Sequence, residues 1–389
     1  MKHIWQEHKK QVVKDIRNFF LWLLSVAVVS LGLLSAVFYH YTGDLLGFFK
    51  LVRTFQLIDT NYAGNIPKQD LLNGALEGIV AKLGDKHSLY LDGEQFKDFS
   101  SQMTGSFAGI GVYISAAQEG ALINDIIDDS PAHDQGLQRG DVIVAINGKA
   151  TAGMKLEDIS NAVRGPEGSQ VTITIRRNGA DTDYILTRRK IHVKTVAGQM
   201  VEGTDIGYIR VAVFSETTGE EFTKQFNDLK QQGMKKMILD LRDNPGGLVD
   251  QATNVASNFV PKNSIIMSYT DSTGHDKAYT AQGTDELIPM VVLINGNSAS
   301  ASEIVAGDVQ DLQLGTIVGV KSYGKGTVQG VYPVGDDAAV KLTVAKYKTA
   351  KGRQIDGEGI TPDVIVELQP GDTVDYQFEK AMEILKNQQ

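Results

Sequence analysis

The sequence predicts a multidomain α+β protein: an apolar N-terminal helix, a helical segment, a β-rich domain, and a larger α/β domain followed by one further helix. Three observations predict it. Residues 19–39 contain no charge over 21 positions, and a helix of that length rises about 30 Å, enough to cross a bilayer core. Short β-rich runs separated by Gly, Asn and Asp fill residues 100–188, as in a small barrel or sandwich. Strand-like and helix-like runs alternate over residues 189–370, which argues a largely parallel sheet covered by helices. The 389 residues suit two or three domains. An apolar content of 42% excludes global disorder, and a net charge of −9 argues against a nucleic-acid-binding protein. With no Cys, a disulfide scaffold, a thiolate metal site and a Cys nucleophile are excluded.

Taken in order, residues 1–18 form a basic N-terminus. Lys2, Lys9, Lys10, Lys14 and Arg17 stand against Glu7 and Asp15. Lys and Arg favour the cytoplasmic side, so residues 19–40 read as a single transmembrane anchor with the C-terminal bulk outside the cell. A cleaved signal peptide would have an apolar core of about 7–15 residues and a small-x-small site, whereas this run ends on Ala36-Val37-Phe38-Tyr39. Residues 44–98 read as an N-terminal helical region, because Leu45, Phe48, Phe49, Val52 and Phe55, and then Leu71, Leu72, Ala75, Leu76, Ile79 and Leu83, recur at helical spacing. Within 100–188, strands are expected at 111–115, 122–127, 141–146, 170–177 and 182–188, and short helices at 131–135 and 156–163. Within 189–370, strands are expected at 207–214, 236–241, 290–294, 317–320 and 339–345, and helices at 217–232, 250–259 and 300–312. Residues 371–389 supply a last amphipathic helix.

The β-rich domain holds Ser106-Phe107-Ala108-Gly109-Ile110-Gly111-Val112 just before a strand. Glycines there let backbone N–H groups converge into a nest that can hold a carboxylate. The order Ser130-Pro131-Ala132, Gly136-Leu137, Gly140-Asp141 and Ile146-Asn147-Gly148 resembles a PDZ domain, a module that adds an extended C-terminal peptide to a sheet edge. The resemblance makes Phe107, Gly109, Ile110, Gly111 and Val112 the carboxylate-binding loop and 156–163 the groove helix. A plain β-domain acting as a spacer is the competing reading.

The α/β domain has no Gly-x-Ser-x-Gly elbow and no His pair at helical ligand spacing, and no metal or other cofactor is implied. Asn295-Gly296-Asn297-Ser298-Ala299-Ser300-Ala301-Ser302-Glu303 follows an apolar strand and opens a helix. Such a turn can hold a side chain at the sheet edge, with free helix N–H groups beside it. The plain reading is an N-cap cluster. Gly319-Val320-Lys321-Ser322-Tyr323-Gly324-Lys325-Gly326 nearly matches a phosphate loop. Gly326 stands where the metal-binding hydroxyl belongs, and no helix follows, so a nucleotide site is rejected.

Together with Gly207-Tyr208-Ile209-Arg210, Leu239-Asp240-Leu241-Arg242-Asp243-Asn244-Pro245-Gly246-Gly247, Gly324-Lys325-Gly326-Thr327-Val328-Gln329 and Gly357-Glu358-Gly359-Ile360-Thr361-Pro362-Asp363, these stretches resemble the C-terminal processing peptidases, tail-specific serine proteases, from about residue 51 to 367. The resemblance implies an α/β protease core with Ser300 as nucleophile, Lys325 as base and Gln329 in support. A lysine serves as base only when neutral, and burial favours that form. The N–H of Ala301 and the backbone of Gly246 and Gly247 are the expected oxyanion donors. Lys86 and Ala350 stand where the family usually has Pro. Arg164 matches a position where relatives couple PDZ occupancy to activity. Substrates with apolar C-termini are expected, and the helical segments could pair two protomers as a homodimer. The alternative is a non-catalytic PDZ scaffold that binds protein C-termini.

Overall fold

The computed structural model describes residues 2–283, 287–369 and 371–388. Met1, Pro370 and Gln389, which bound expected segments, and residues 284–286 lie outside the described residues. The chain divides into two units, Met1–Ile79 and Val80–Gln389.

The first unit is helical. Helix Lys2–Thr42 contains the uncharged run, and its Gln11–Thr42 part is long and apolar enough to cross a membrane. It stops at Gly43, whose positive φ of 71° suits a helix C-terminus and whose N–H donates to Tyr39 C=O at 2.8 Å. Helix Gly47–Asn61 follows, and Pro67 then opens Lys68–Ala81.

In the second unit, strands Val112–Ala117, Gly120–Ile126, Val142–Ile146, Gln170–Arg177 and Ala180–Thr187 form one antiparallel sheet in that order, with Lys149–Ala150 paired to the third. Helices Pro131–Asp134 and Leu156–Val163 lie where the sequence places them. Ile110, Ile123, Ile143, Ile159, Ile173 and Leu186 make its core. Strand Val112–Ala117 is at the edge of the sheet.

The α/β sheet runs Val196–Met200, Ile206–Val211, Lys236–Asp240, Met290–Ile294, Gly315–Gly319, Val364–Ile365. Its first pair is antiparallel and every other pair parallel. Successive side chains point to opposite faces. Ile209, Leu239, Val292 and Ile317 therefore meet helices Thr218–Gln231, Val249–Ala256 and Ala301–Asp311. Ile238, Val291, Leu293 and Val318 meet Ala381 and Leu385 of helix Tyr376–Asn387. Burial on both faces explains the unbroken apolar runs at 237–239 and 290–294.

A second sheet is built on the twelve-residue strand Ala338–Thr349, which pairs with Leu89–Asp92, Thr327–Pro333 and Ile265–Thr270, the last continuing to Asp276–Thr280. The all-helical reading of 44–98 is thus corrected. Its residues 89–92 are a strand of this sheet, and helix Gly93–Thr104 runs through the expected boundary near residue 99.

Candidate active site

Strand Met290–Ile294, buried at all five positions, delivers the chain to a turn held by side chains. Ser298 Oγ donates to Leu241 C=O at 2.7 Å and accepts from Asn295 N–H at 2.9 Å. Asn295 and Asn297 donate through Nδ2 to Asp243 Oδ1 at 2.8 and 2.9 Å. Ser302 Oγ donates to Asn244 C=O at 2.9 Å. The three alternating serines therefore divide their work. Ser298 and Ser302, both fully buried, tie the turn to the neighbouring 241–244 segment. Ser300 stands between them as the N-cap of helix Ala301–Asp311, with φ 54° and ψ −114°. A residue carrying a Cβ pays about 1–3 kcal/mol for such a conformation, which persists only where its surroundings impose it. Here Ser300 N–H donates to Glu303 Oε2 at 2.8 Å, and Ser300 C=O accepts from Glu303 N–H, Ile304 N–H and Tyr347 Oη–H at 2.8, 3.0 and 3.1 Å. Tyr347 is buried, and burial together with the Glu303 charge pushes its hydroxyl well above the usual range, so it remains a donor.

Lys325 lies in the glycine-rich loop that precedes strand Thr327–Pro333. Burial, and next the cation of Lys341, push its ammonium below the ordinary lysine range, while Glu303 and Asp85 oppose them. Lys341 is itself lowered by burial. Asp85 falls to about 2, chiefly through its hydrogen bond from Ser88 and then through Thr343. His87 is lowered by burial, then by the charges of Lys325 and Lys86. Behind the loop, Ile360 N–H donates to Ser322 Oγ at 2.7 Å and Gly357 N–H to Gly324 C=O at 2.9 Å, so the 357–363 motif is its scaffold.

Among the described residues no hydrogen bond joins Ser300 Oγ, Lys325 Nζ and Gln329. Gln329 Nε2 donates instead to Thr327 Oγ1 at 2.7 Å and to Thr343 Oγ1 at 3.5 Å. The ladder between Thr327–Pro333 and Ala338–Thr349 slips by one residue between Val328 and Gln329, an irregularity of the kind that re-aims side chains beside active sites.

Gly246, at φ 98°, lies directly against the elbow, the turn that carries Ser300. A Cβ there would sit 2.6 Å from Ala299 O, 2.8 Å from Ser300 Cβ and 2.9 Å from Ala301 N. Its N–H donates to Asn244 Oδ1 at 2.9 Å, so the expectation that it offers a free donor is corrected. Its place is steric. The N–H groups of Ala301 and Gly247 have no acceptor among the described residues.

In the β-rich domain, Gly111 has φ 83°, and its carbonyl accepts from Ile127 N–H at 2.9 Å. Ile110 is buried, with its carbonyl taken by Ala132 N–H at 2.9 Å. The N–H groups of Ile110 and Gly111 have no acceptor among the described residues, as an anion nest requires. Val112 opens the edge strand, Gly109 ends the preceding one, and Phe107 is half-buried. Arg164 lies over the Phe107 ring at 5.1 Å and pairs with Asp98 at 3.4 Å. The sequence reading singled out neither Glu303 nor Tyr347. Ser-x-x-Glu at a helix start is a capping-box signal that could have found Glu303, whereas nothing local marks Tyr347.

Residues 205–366 match the family described as peptidase family S41, residues 122–177 match the PDZ domain, and residues 40–95 match the activating protease CtpB N-terminal domain. The chain is 40% identical over 322 residues to a carboxy-terminal-processing protease of Bartonella bacilliformis, covering 80% of this chain and 73% of that one. It is 35% identical over 369 residues to the carboxy-terminal processing protease CtpA of Bacillus subtilis, covering 91% and 78%. Among solved structures, the photosystem II D1 C-terminal processing protease aligns with a TM-score of 0.48 at 29% identity, covering 87% of this chain and 91% of that chain.

Proposed function

The chain belongs to the carboxy-terminal processing proteases of peptidase family S41, serine-type peptidases with a PDZ domain, and from that premise we propose that it cleaves proteins with a Ser300–Lys325 dyad after capturing their C-termini. The observation that carries the reading is the strained Ser300 at a helix N-terminus, with a half-buried lysine of depressed basicity in the loop bound to the same helix. Neutral Lys325 Nζ takes the proton of Ser300 Oγ as Oγ attacks the scissile carbonyl. The oxyanion of the tetrahedral intermediate accepts from Ala301 N–H and Gly247 N–H. Collapse breaks the C–N bond, and the Lys325 ammonium returns the proton to the leaving amine. Water, deprotonated by Lys325, then attacks the acyl-enzyme ester, and the second collapse breaks the ester C–O bond as the Lys325 ammonium returns the proton to Ser300 Oγ. Gln329 orients the neutral amine once it leaves Thr327 and Thr343.

The edge strand 112–117 receives the substrate's C-terminal segment, its carboxylate on the 109–112 loop and its apolar side chain in the groove beside helix 156–163. Arg164, bridging Asp98 and Phe107, reports occupancy to the dyad. Residues 19–40 anchor the protein in the cell membrane by a single pass, the N-terminus cytoplasmic and the catalytic part outside, and the helical segments pair two copies. The test uses the full chain in detergent with an unfolded protein ending in apolar residues and the same protein ending in charged ones. Wild type cleaves the first faster, and Ser300→Ala and Lys325→Ala cleave neither. Cleavage by Ser300→Ala refutes the dyad. Arg164→Ala with full activity and full stimulation by an apolar tail peptide refutes the coupling.

A further inference from the structure

One carboxylate joins the two halves of the proposed dyad. Glu303, fully buried, accepts at Oε2 from Ser300 N–H at 2.8 Å and Lys325 N–H at 2.9 Å. At Oε1 it accepts from Ser322 Oγ–H at 2.5 Å and Gly324 N–H at 2.7 Å. One donor comes from the elbow and three from the base loop. No cationic side chain is paired with it among the described residues. Its charge is met by these donors and by the first turn of its own helix, the favourable end of the helix dipole. The phosphate-loop likeness of 319–326 acquires a physical meaning here. Glycine-rich backbone does converge on an anion, but the anion is a side chain of the same protein, presented at a helix N-terminus.

We propose that Glu303 is the positioning residue that locks the base loop to the nucleophile elbow, so that Lys325 and Ser300 keep one fixed relation while neither touches Glu303 through its reacting atom. The inference rests on the Ser300–Lys325 reading and adds a second duty with an opposite sign. Glu303 sits close enough to Lys325 to favour the ammonium, against the burial and the Lys341 cation that disfavour it; Asp85 favours it also, and His87 feels the same lysine. The carboxylate therefore aligns the base at the cost of holding back its deprotonation. A residue that merely filled space would do the first without the second.

The experiment measures kcat, KM and the pH–rate profile for cleavage of an unfolded protein with an apolar C-terminus by the full chain in detergent. Glu303→Gln keeps the shape, removes the charge and replaces one acceptor oxygen by an amide that faces donors. The expected result is a fall in kcat of about 100-fold, the usual cost of misplacing a catalytic group by about 1 Å. KM stays within threefold, and the acid limb of the profile moves to lower pH. Ser322→Ala removes one donor and leaves the charge, so kcat falls several-fold with the acid limb unmoved. A Glu303→Gln protein with kcat within threefold of wild type, or with a loss carried by KM, or with an unmoved acid limb, overturns the proposal. If Glu303→Gln shows no cooperative melt, Ser322→Ala decides: an unchanged kcat overturns the proposal, and the several-fold loss with unmoved limb upholds it. Ser300→Ala and Lys325→Ala are run in parallel. If both are inactive while Glu303→Gln behaves as wild type, only the positioning role fails. If Ser300→Ala still cleaves, the dyad fails and this inference with it.

Discussion

Replacing Gly246 by Ala isolates how tightly the elbow is held. The new Cβ would lie 2.6, 2.8 and 2.9 Å from Ala299 O, Ser300 Cβ and Ala301 N. None of those atoms is the end of a flexible side chain, so no rotamer change relieves the collision. Either the 244–247 segment or the elbow must move by about 0.5–1 Å to restore van der Waals separation. A shift of that size costs about 100-fold in rate, and a displaced Ala301 N–H, the proposed oxyanion donor, adds to it, since losing one such donor alone costs about 10²–10³-fold. We expect kcat to fall at least 100-fold and KM to stay within threefold. The φ of 98° adds about 1–3 kcal/mol of strain to the folded state, visible as a lower melting temperature. Gly140→Ala is the control: its φ is 95°, but its Cβ would meet nothing within 4 Å, so it should lose stability without losing kcat. Steady-state proteolysis and thermal melting of both variants check this. Gly246→Ala with kcat within threefold of wild type, or Gly140→Ala with an equal kcat loss, would refute the steric argument.

Two further outcomes follow from charges near the site. Lys341→Gln removes a cation that lowers Lys325; the base then holds its proton to higher pH, and the acid limb of the pH–rate profile should move upward, opposite to the shift expected for Glu303→Gln. An unmoved or downward-moved limb counts against Lys325 as the titrating base. Asp308 is buried on helix Ala301–Asp311, neither carboxyl oxygen has a hydrogen-bond partner among the described residues, and burial followed by the Asp311 charge raises it well above the usual range. Its stability contribution is complete below the unfolded value of about 4 and is lost as pH rises toward the folded one. Asp308→Asn should therefore melt progressively higher than wild type as pH rises from about 4, and parallel melting curves across that range would exclude a neutral Asp308.

What was legible in the sequence follows the range of the interactions. Residues 237–239 and 290–294 are unbroken apolar runs because both faces are covered, and the helix after 290–294 begins at a serine cluster, so the elbow could be read from local pattern. Leu89–Asp92 could not. It has four residues, too few for periodicity, and its partner is Ala338–Lys341 on the far side of the chain. Helix Gly93–Thr104 is mostly polar, with only Phe96, Phe99 and Met103 at helical spacing to announce it. Ser300 and Lys325 were reached through motif order rather than physics, since a lysine between glycines reads as a surface turn until the surrounding residues are seen to bury it.

The least legible part of the site is the strand that completes it. Ala338–Thr349 supplies Lys341, whose charge depresses Lys325, and Thr343, whose hydroxyl holds Gln329 and whose N–H donates to Ser88 Oγ at 3.0 Å. It also supplies Tyr347, whose hydroxyl holds the Ser300 carbonyl. Lys341 and Thr343 share one face by their spacing of two, and Tyr347 lies beyond the slip that falls between 343 and 345, so one strand serves the proposed base, orienting amide and nucleophile from both sides of its bulge. The one-residue slip beside Gln329 matters for that reason. It lets Gln329 reach Thr343 without moving Tyr347, because the ladder is already in register at Thr327 opposite Lys346. Movement of this strand as a unit would release Gln329 and change the charge felt by Lys325 in the same step. A bulge can allow Gln329 alone to shift, which would free its amide from Thr327 and Thr343 while Glu303 keeps the elbow and the base loop in place.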